Sequence, residues 1–218
     1  AIVTTVRVVL RQPSLALPHL KVRDIRDIDF DGLRAAGCTG VVFDKDNTLT
    51  LPYADDVDPR LASALRDCRT AFGSDRVAVL SNSAGTPDDP GHQMAERLER
   101  SLGLPVLRRA YKKPRGFESV REHFRGCDPT SLVMVGDRYL TDVVFGNLHG
   151  MLCVHTDQLT SRGDNPVAKR MRQLEQWLVA VWRRWGCAPP THRILYALGD
   201  RQHLRGARSR GDCRARDS

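Results

Sequence analysis

No stretch of the 218 residues approaches the 18 or more consecutive apolar residues that a transmembrane helix requires. The six cysteines, Cys38, Cys68, Cys127, Cys153, Cys187 and Cys213, form no C-x-x-C pair and no metal-like spacing, which is the usage of free thiols in a reducing compartment. No internal repeat is present, which sets repeat architectures aside. The chain opens on Ala1 rather than Met and is read as processed or truncated, so no targeting peptide is legible. An excess of basic charge is also missing from most of the chain. Residues 1–160 are balanced, and residues 161–218 hold 13 basic residues against 5 acidic ones, the whole of the net charge of +8. Such a basic appendage suits anionic lipid, nucleic acid or plain solvation.

What is present is ordinary for a soluble globular chain, at 41% hydrophobic and 28% charged, and fits one domain with appendages or at most two small ones. From about residue 38 to 156, apolar runs alternate with amphipathic segments. The runs 39–44, 76–82, 105–110, 131–137 and 150–155 are expected as strands. Helices are expected over 58–73, over 90–102 and around Phe117, Val120 and Phe124. Continuous apolar runs separated by helices are the pattern of a parallel sheet covered on both faces, so the fold class is a doubly wound α/β. In such sheets ligands bind beyond the C-terminal strand ends. Three runs end there in polar groups: Asp44-Lys45-Asp46, Ser81-Asn82-Ser83 and Gly136-Asp137. The basic stretch "YKKPRG", 111–116, lies between the second and third.

Carboxylates are rarely buried unless paired or metal-bound, so two aspartates two apart at a strand end need a reason. Asp44 can attack phosphorus and form an acyl phosphate, and Asp46 can serve as acid and then as base. Carboxylate attack on a phosphate dianion is repulsive and calls for a divalent cation. Mg²⁺ suits an all-oxygen site of Asp44, a backbone carbonyl near Asp46, and Asp137. Ser81 and a lysine of the KKP stretch would hold the phosphate oxygens.

The segments "FDKDNTLT", "LSNSAGT", "YKKP" and "VGDRYLTDVVFGN" resemble, in order, the four motifs of the haloacid-dehalogenase superfamily of phosphohydrolases. "VVFDKDNTLT", "SNSAG", "KKP", "GDRYLTDV" and the approach segment "PSLALPHLKVRDI" are similar to the branch that dephosphorylates phosphatidylglycerophosphate in organelles. The resemblance spans roughly residues 10 to 185. It implies a Rossmann-like core, Mg²⁺ as cofactor, Asp44 as nucleophile and Asp46 as acid/base. It further implies Ser81, Asn82 and Lys113 as phosphate-binding residues, with Lys113 chosen over Lys112 because it directly precedes Pro114. Asp44, Asp46 and Asp137 are the implied metal residues and Asp142 a supporting acid. A phospholipid substrate at an anionic membrane surface, in the mitochondrion or plastid and with no nucleic acid, completes what the resemblance implies.

Nine residues separate Thr48 from Asp58 and 31 separate Ser81 from Lys113, which leaves no room for a cap domain. An uncovered site suits phosphate on something bulky: a lipid headgroup, a protein or a nucleic-acid end. A phosphatase for nucleic-acid ends or phosphoproteins is therefore the alternative enzyme, and a catalytically dead binding module the alternative class. Residues 1–37 are expected as an approach segment with a membrane-associating helical face at Ile2, Val6, Val9 and Leu10. The core is placed at 38–160, a basic amphipathic helix at 161–186 and an Arg-rich disordered tail at 187–218. In the helix, Val167, Met171, Leu174, Leu178, Val181 and Trp185 form a stripe. Lys169, Arg170, Arg172, Arg183 and Arg184 surround it. That stripe is expected to dock on the sheet while the basic face meets lipid.

Overall fold

The apolar runs become parallel strands because each is buried on both sides. The computed structural model describes residues 9–162 and 166–199. In chain order its strands are β1 (Leu20–Val22), β2 (Gly40–Phe43), β3 (Val77–Val79), β4 (Leu132–Gly136) and β5 (Leu152–Thr156). They form one parallel sheet in the order β1-β5-β4-β2-β3. Along β2, Val41 and Phe43 enter one apolar layer and Val42 the other. Along β4, Val133 and Val135 part in the same way from Leu132 and Met134. Each such side chain contributes roughly 1.5–3 kcal/mol by leaving water, the term that fixes a strand in the middle of a sheet.

The helices divide between the two faces. On one lie α1 (Phe30–Ala35), α2 (Ala62–Phe72) and α3 (Gln93–Leu102), with Leu33, Leu65, Phe72, Leu98 and Leu102 turned inward. On the other lie α4 (Glu118–His123), α5 (Val144–Leu148) and α6 (Pro166–Arg184). There Val120, Phe145, Val179 and Trp182 are buried. Asp58 starts the α2 region by accepting the Arg60 N–H at 3.0 Å, and Asp89 caps α3 by accepting from Met94 and Ala95 at 2.9 and 3.0 Å. From β2 the chain moves outward to β3 and then returns across β2 to β4. The crevice of this switch point therefore opens at the C-terminal ends of β2 and β4.

Four expectations change. Residues 105–110 make only a single parallel bridge, Val79 to Val106, because Pro105 has no N–H to give and the chain soon turns to bond Arg109 N to Gly85 O. The segment placed before the core instead adds β1 and α1 to it, since Leu20 and Val22 pair with β5 although Lys21 interrupts the run. α6 docks by a different face from the expected stripe. Glu175, Val179 and Trp182 are buried, Met171, Leu178 and Val181 of the stripe are half-buried at its edge, and Val167, Leu174 and Trp185 of the stripe are exposed, as is Trp177. The Arg-rich tail expected as disordered at 187–218 also changes, since Ile194 is buried in the layer of α1 to α3 with Leu195 and Leu198 against it. Its part beyond residue 199 and the expected face at Ile2 and Val6 lie outside the described residues, and Val9 is buried. None of the described helices is long and apolar enough to cross a membrane.

Candidate active site

Asp44 directly follows β2, and its N–H donates to Val135 O at 2.8 Å, so the residue is still held in the register of the sheet. The chain then turns tightly. Asn47 takes a left-handed φ of 62°, and the N–H groups of Leu49 and Thr50 donate to Lys45 O at 2.9 and 3.1 Å. Lys45 is buried but leads away from the site, donating to Ala54 O at 2.9 Å and pairing with Asp46 at 3.0 Å. Asp46 also accepts the Tyr53 N–H at 3.0 Å, which holds its carboxylate at a partly exposed rim.

Lys113 is the centre of the buried group. Its Nζ meets Asp44 Oδ1 and Asp142 Oδ1, each at 2.5 Å, and its side chain has no exposed surface. Lys112 turns out to the surface and pairs with Asp88. Asp137, at the end of β4, pairs with Arg172 of α6. Acidic oxygens of Asp44, Asp137 and Asp142 all lie within 4.8 Å of one another. Asp142 reaches this group from a π-helical turn over Tyr139–Val143, where its Oδ2 accepts the Arg138 N–H at 3.0 Å. Gly136 makes the approach possible, because a Cβ there would stand 2.5 Å from Asp142 Oδ2. Thus the third carboxylate of the group belongs to Asp142, expected as a supporting acid. The Asp46 carboxylate is drawn aside by Tyr53 and Lys45, so the metal role expected at Asp46 stays with the backbone carbonyl near it.

Charges in this group are set by burial and by one another. Burial pushes the Asp44 carboxyl up to about 6 although Lys113 pulls it down. Burial raises the Asp137 carboxyl well above its ordinary value, against the opposing pull of Arg172. For Lys113 burial works against the charged form, but Asp142 and Asp44 outweigh it and hold its pKa above the ordinary value. The three oxygens are the hard donor set that Mg²⁺ takes. Asp137 Oδ1 is buried and has no hydrogen-bond partner, an acceptor of the kind a bound cation would satisfy. The residues present therefore fit a divalent cation.

Ser81 and Asn82 complete the rim of the crevice. Ser81 Oγ accepts from the N–H groups of Ser83 and Ala84 at 3.1 and 3.3 Å. Asn82 Oδ1 accepts the Lys113 N–H at 3.0 Å and an Arg109 N–H at 2.9 Å, so it ties the lysine loop to the end of β3. Arg109 is the residue that sequence reasoning passed over. It is buried, donates to Ser81 O and Asn82 Oδ1, and burial lowers its pKa to about 10. Its only signal was its place, four residues before Lys113, at the end of the run 105–110 expected as a strand.

Fold and donors together define a class, an α/β enzyme of the phosphatase type with carboxylates at the sheet's switch point. Residues 1–160 match the family described as mitochondrial PGP phosphatase, and the chain belongs to that family. It is 51% identical over 182 residues to a chloroplastic phosphatidylglycerophosphate phosphatase 1 of Chlamydomonas reinhardtii, covering 83% of this chain and 67% of that protein. It is 45% identical over 197 residues to a chloroplastic/mitochondrial phosphatidylglycerophosphate phosphatase 1 of Arabidopsis thaliana, covering 89% of this chain and 56% of that one. A mitochondrial phosphatidylglycerophosphatase of Saccharomyces cerevisiae is 30% identical over 176 residues, covering 78% of this chain and 92% of its own length.

Proposed function

We propose that this chain removes the terminal phosphate of phosphatidylglycerophosphate, yielding phosphatidylglycerol, in a Mg²⁺-dependent reaction through an aspartyl-phosphate on Asp44. The observation that carries it is the buried group of Asp44, Lys113, Asp137 and Asp142 at the switch-point crevice. With a pKa of about 6, Asp44 is mostly ionised at neutral pH, as a nucleophile must be. Its oxygen attacks the terminal phosphorus. The bond from phosphorus to the glycerol oxygen breaks, and that oxygen takes a proton from the Asp46 carboxyl. Water then attacks the acyl phosphate and gives its proton to Asp46. The bond between Asp44 and phosphorus breaks, and inorganic phosphate leaves.

Mg²⁺ bound by Asp44, Asp137 and Asp142 would neutralise charge between the carboxylate and the phosphate dianion. Lys113 holds a phosphoryl oxygen. The acceptor side of Ser81 Oγ is filled by two backbone amides, so a phosphate would meet it as a donor. Asn82 supports this set through the Lys113 backbone.

The bulky lipid is met at the face of α6 that carries Val167, Leu174, Trp177 and Trp185 in the open, with Arg170 and Arg184 beside them. Aromatic and basic side chains on one helix surface suit an anionic membrane interface. The organelle of action is the mitochondrion or the plastid, the compartments named for the relatives.

The deciding experiment measures phosphate release from phosphatidylglycerophosphate, a phosphopeptide and a 3′-phosphorylated oligonucleotide. Release from the lipid above the other two, with Asp44→Asn forming no phosphoenzyme, is expected. Preference for the peptide or the oligonucleotide overturns the lipid assignment. Near-normal turnover by Asp44→Asn overturns the covalent route.

A further inference from the structure

α6 belongs to none of the four motifs, yet it grips three successive residues of the loop after β4. Arg172 forms a charge-assisted pair with Asp137 Oδ2, with side-chain exposures of 12% and 1%. Glu175, 2% exposed, accepts from Arg138 Nη2 at 2.6 Å and from the Tyr139 N–H at 3.1 Å. Residues three apart share one face of a helix. Val179 and Trp182 continue that face into the apolar layer, so the packing of α6 sets where both polar heads stand.

Stability alone does not account for these pairs. Burying two ion pairs carries a desolvation penalty that apolar side chains of similar volume would avoid. What the pairs do accomplish is visible at Asp137. One carboxylate oxygen is tied to α6. The other, Oδ1, is buried without a hydrogen-bond partner in a residue grouped with Asp44 and Asp142. Outer partners hold metal-ligating carboxylates in this manner, fixing one oxygen so that the other is presented.

We propose that Arg172 and Glu175 form a clamp that positions Asp137 for a divalent cation, which makes α6 a working part of the metal site. The clamp rests on the reading of the three carboxylates as that site. Both are positioning residues, acting through Asp137 and the Arg138–Tyr139 backbone. The opposite role, an arginine standing in for the cation, predicts the opposite sign. Removing a competing positive charge would tighten metal binding.

The test titrates the full chain with Mg²⁺ alone, without substrate, by calorimetry, alongside thermal unfolding in EDTA. Arg172→Gln is expected to weaken Mg²⁺ binding about 10–100-fold, the usual cost of losing an outer partner, and Arg172→Lys to recover part of it. Gln173→Ala, an exposed neighbour on α6, is expected to bind as the parent does. Mg²⁺ binding by Arg172→Gln equal to or tighter than the parent's overturns the clamp. If Arg172→Gln does not fold, Glu175→Gln decides, because it keeps an acceptor for the Tyr139 N–H while losing the charge facing Arg138. Weaker Mg²⁺ binding in that variant supports the clamp, and unchanged binding overturns it. A parent that binds no Mg²⁺ overturns the metal reading itself, and the clamp with it.

Discussion

Lys113 shows how much one buried residue can carry. Its ammonium is shared by Asp44 and Asp142, so a neutral replacement leaves two buried carboxylates facing each other without that counter-ion. Breaking a buried ion pair from one side costs about 3–5 kcal/mol. Lys113→Met is therefore expected to unfold well below the parent in EDTA and to regain part of the loss in Mg²⁺, which supplies positive charge to the same oxygens. Thermal melts with and without the metal check this. His155 makes a second residue-scale prediction. It is stacked on Tyr139 at 3.9 Å, and burial lowers its pKa to about 4. The unfolded chain has the higher pKa and takes up protons first. The stability contributed by the neutral ring is thus complete above about pH 6.5 and is lost as pH falls towards 4. The loss is on the order of 3 kcal/mol. His155→Phe, which keeps the stack, is expected to flatten that part of the stability–pH curve in urea unfolding. An unchanged curve would place the acid sensitivity elsewhere.

Among the elements, the π-helical turn and α6 decide the geometry around Asp137. The turn over Tyr139–Val143 carries Asp142 back over Gly136, and α6 holds the loop between them from outside. Trp182 anchors α6 in the apolar layer shared with Tyr139, Leu140 and Val143. Trp182→Ala is expected to cost about 3–5 kcal/mol in urea unfolding. Because the same helix carries Arg172 and Glu175, Mg²⁺ affinity is expected to fall with it, as read by calorimetry under conditions where the variant remains folded. Lost stability with parent-like Mg²⁺ affinity would make Trp182 a packing residue only. The apolar stripe expected to dock on the sheet was legible as amphipathic but not as oriented. α6 has apolar residues on more than one side, and the polar partners at 137–139 select the rotation.

For the whole molecule the uneven charge is the leading feature. The excess basic residues lie beyond residue 160, and on α6 Lys169, Arg170, Arg183 and Arg184 are exposed while Arg172 is drawn inward. Each interfacial Lys or Arg contributes about 1 kcal/mol of attraction to an anionic surface. Changing those four to Gln is expected to weaken binding to phosphatidylglycerol-containing vesicles by roughly three orders of magnitude at low salt, measured by co-sedimentation. Parent-like binding would mark the charge as solvated surface. Early melting with loss of soluble-substrate hydrolysis would mark it as structural.

The sequence by itself determined the parallel α/β layering and the residues gathered in the crevice. Short apolar runs bounded by turn formers favour buried strands, and carboxylates at their ends need a chemical reason to be there. It brought Asp44, Lys113 and Asp137 together before any coordinate did. The tertiary structure alone decided that Leu20–Val22 closes the sheet beside β5, that Asp142 rather than Asp46 completes the acidic group, and that Arg172 faces the site instead of the solvent. The physical reason is range. A strand's burial is written in its own few residues. The pairings of β1 with β5 and of α6 with Asp137 join residues 134 and 35 apart, and no local period encodes them.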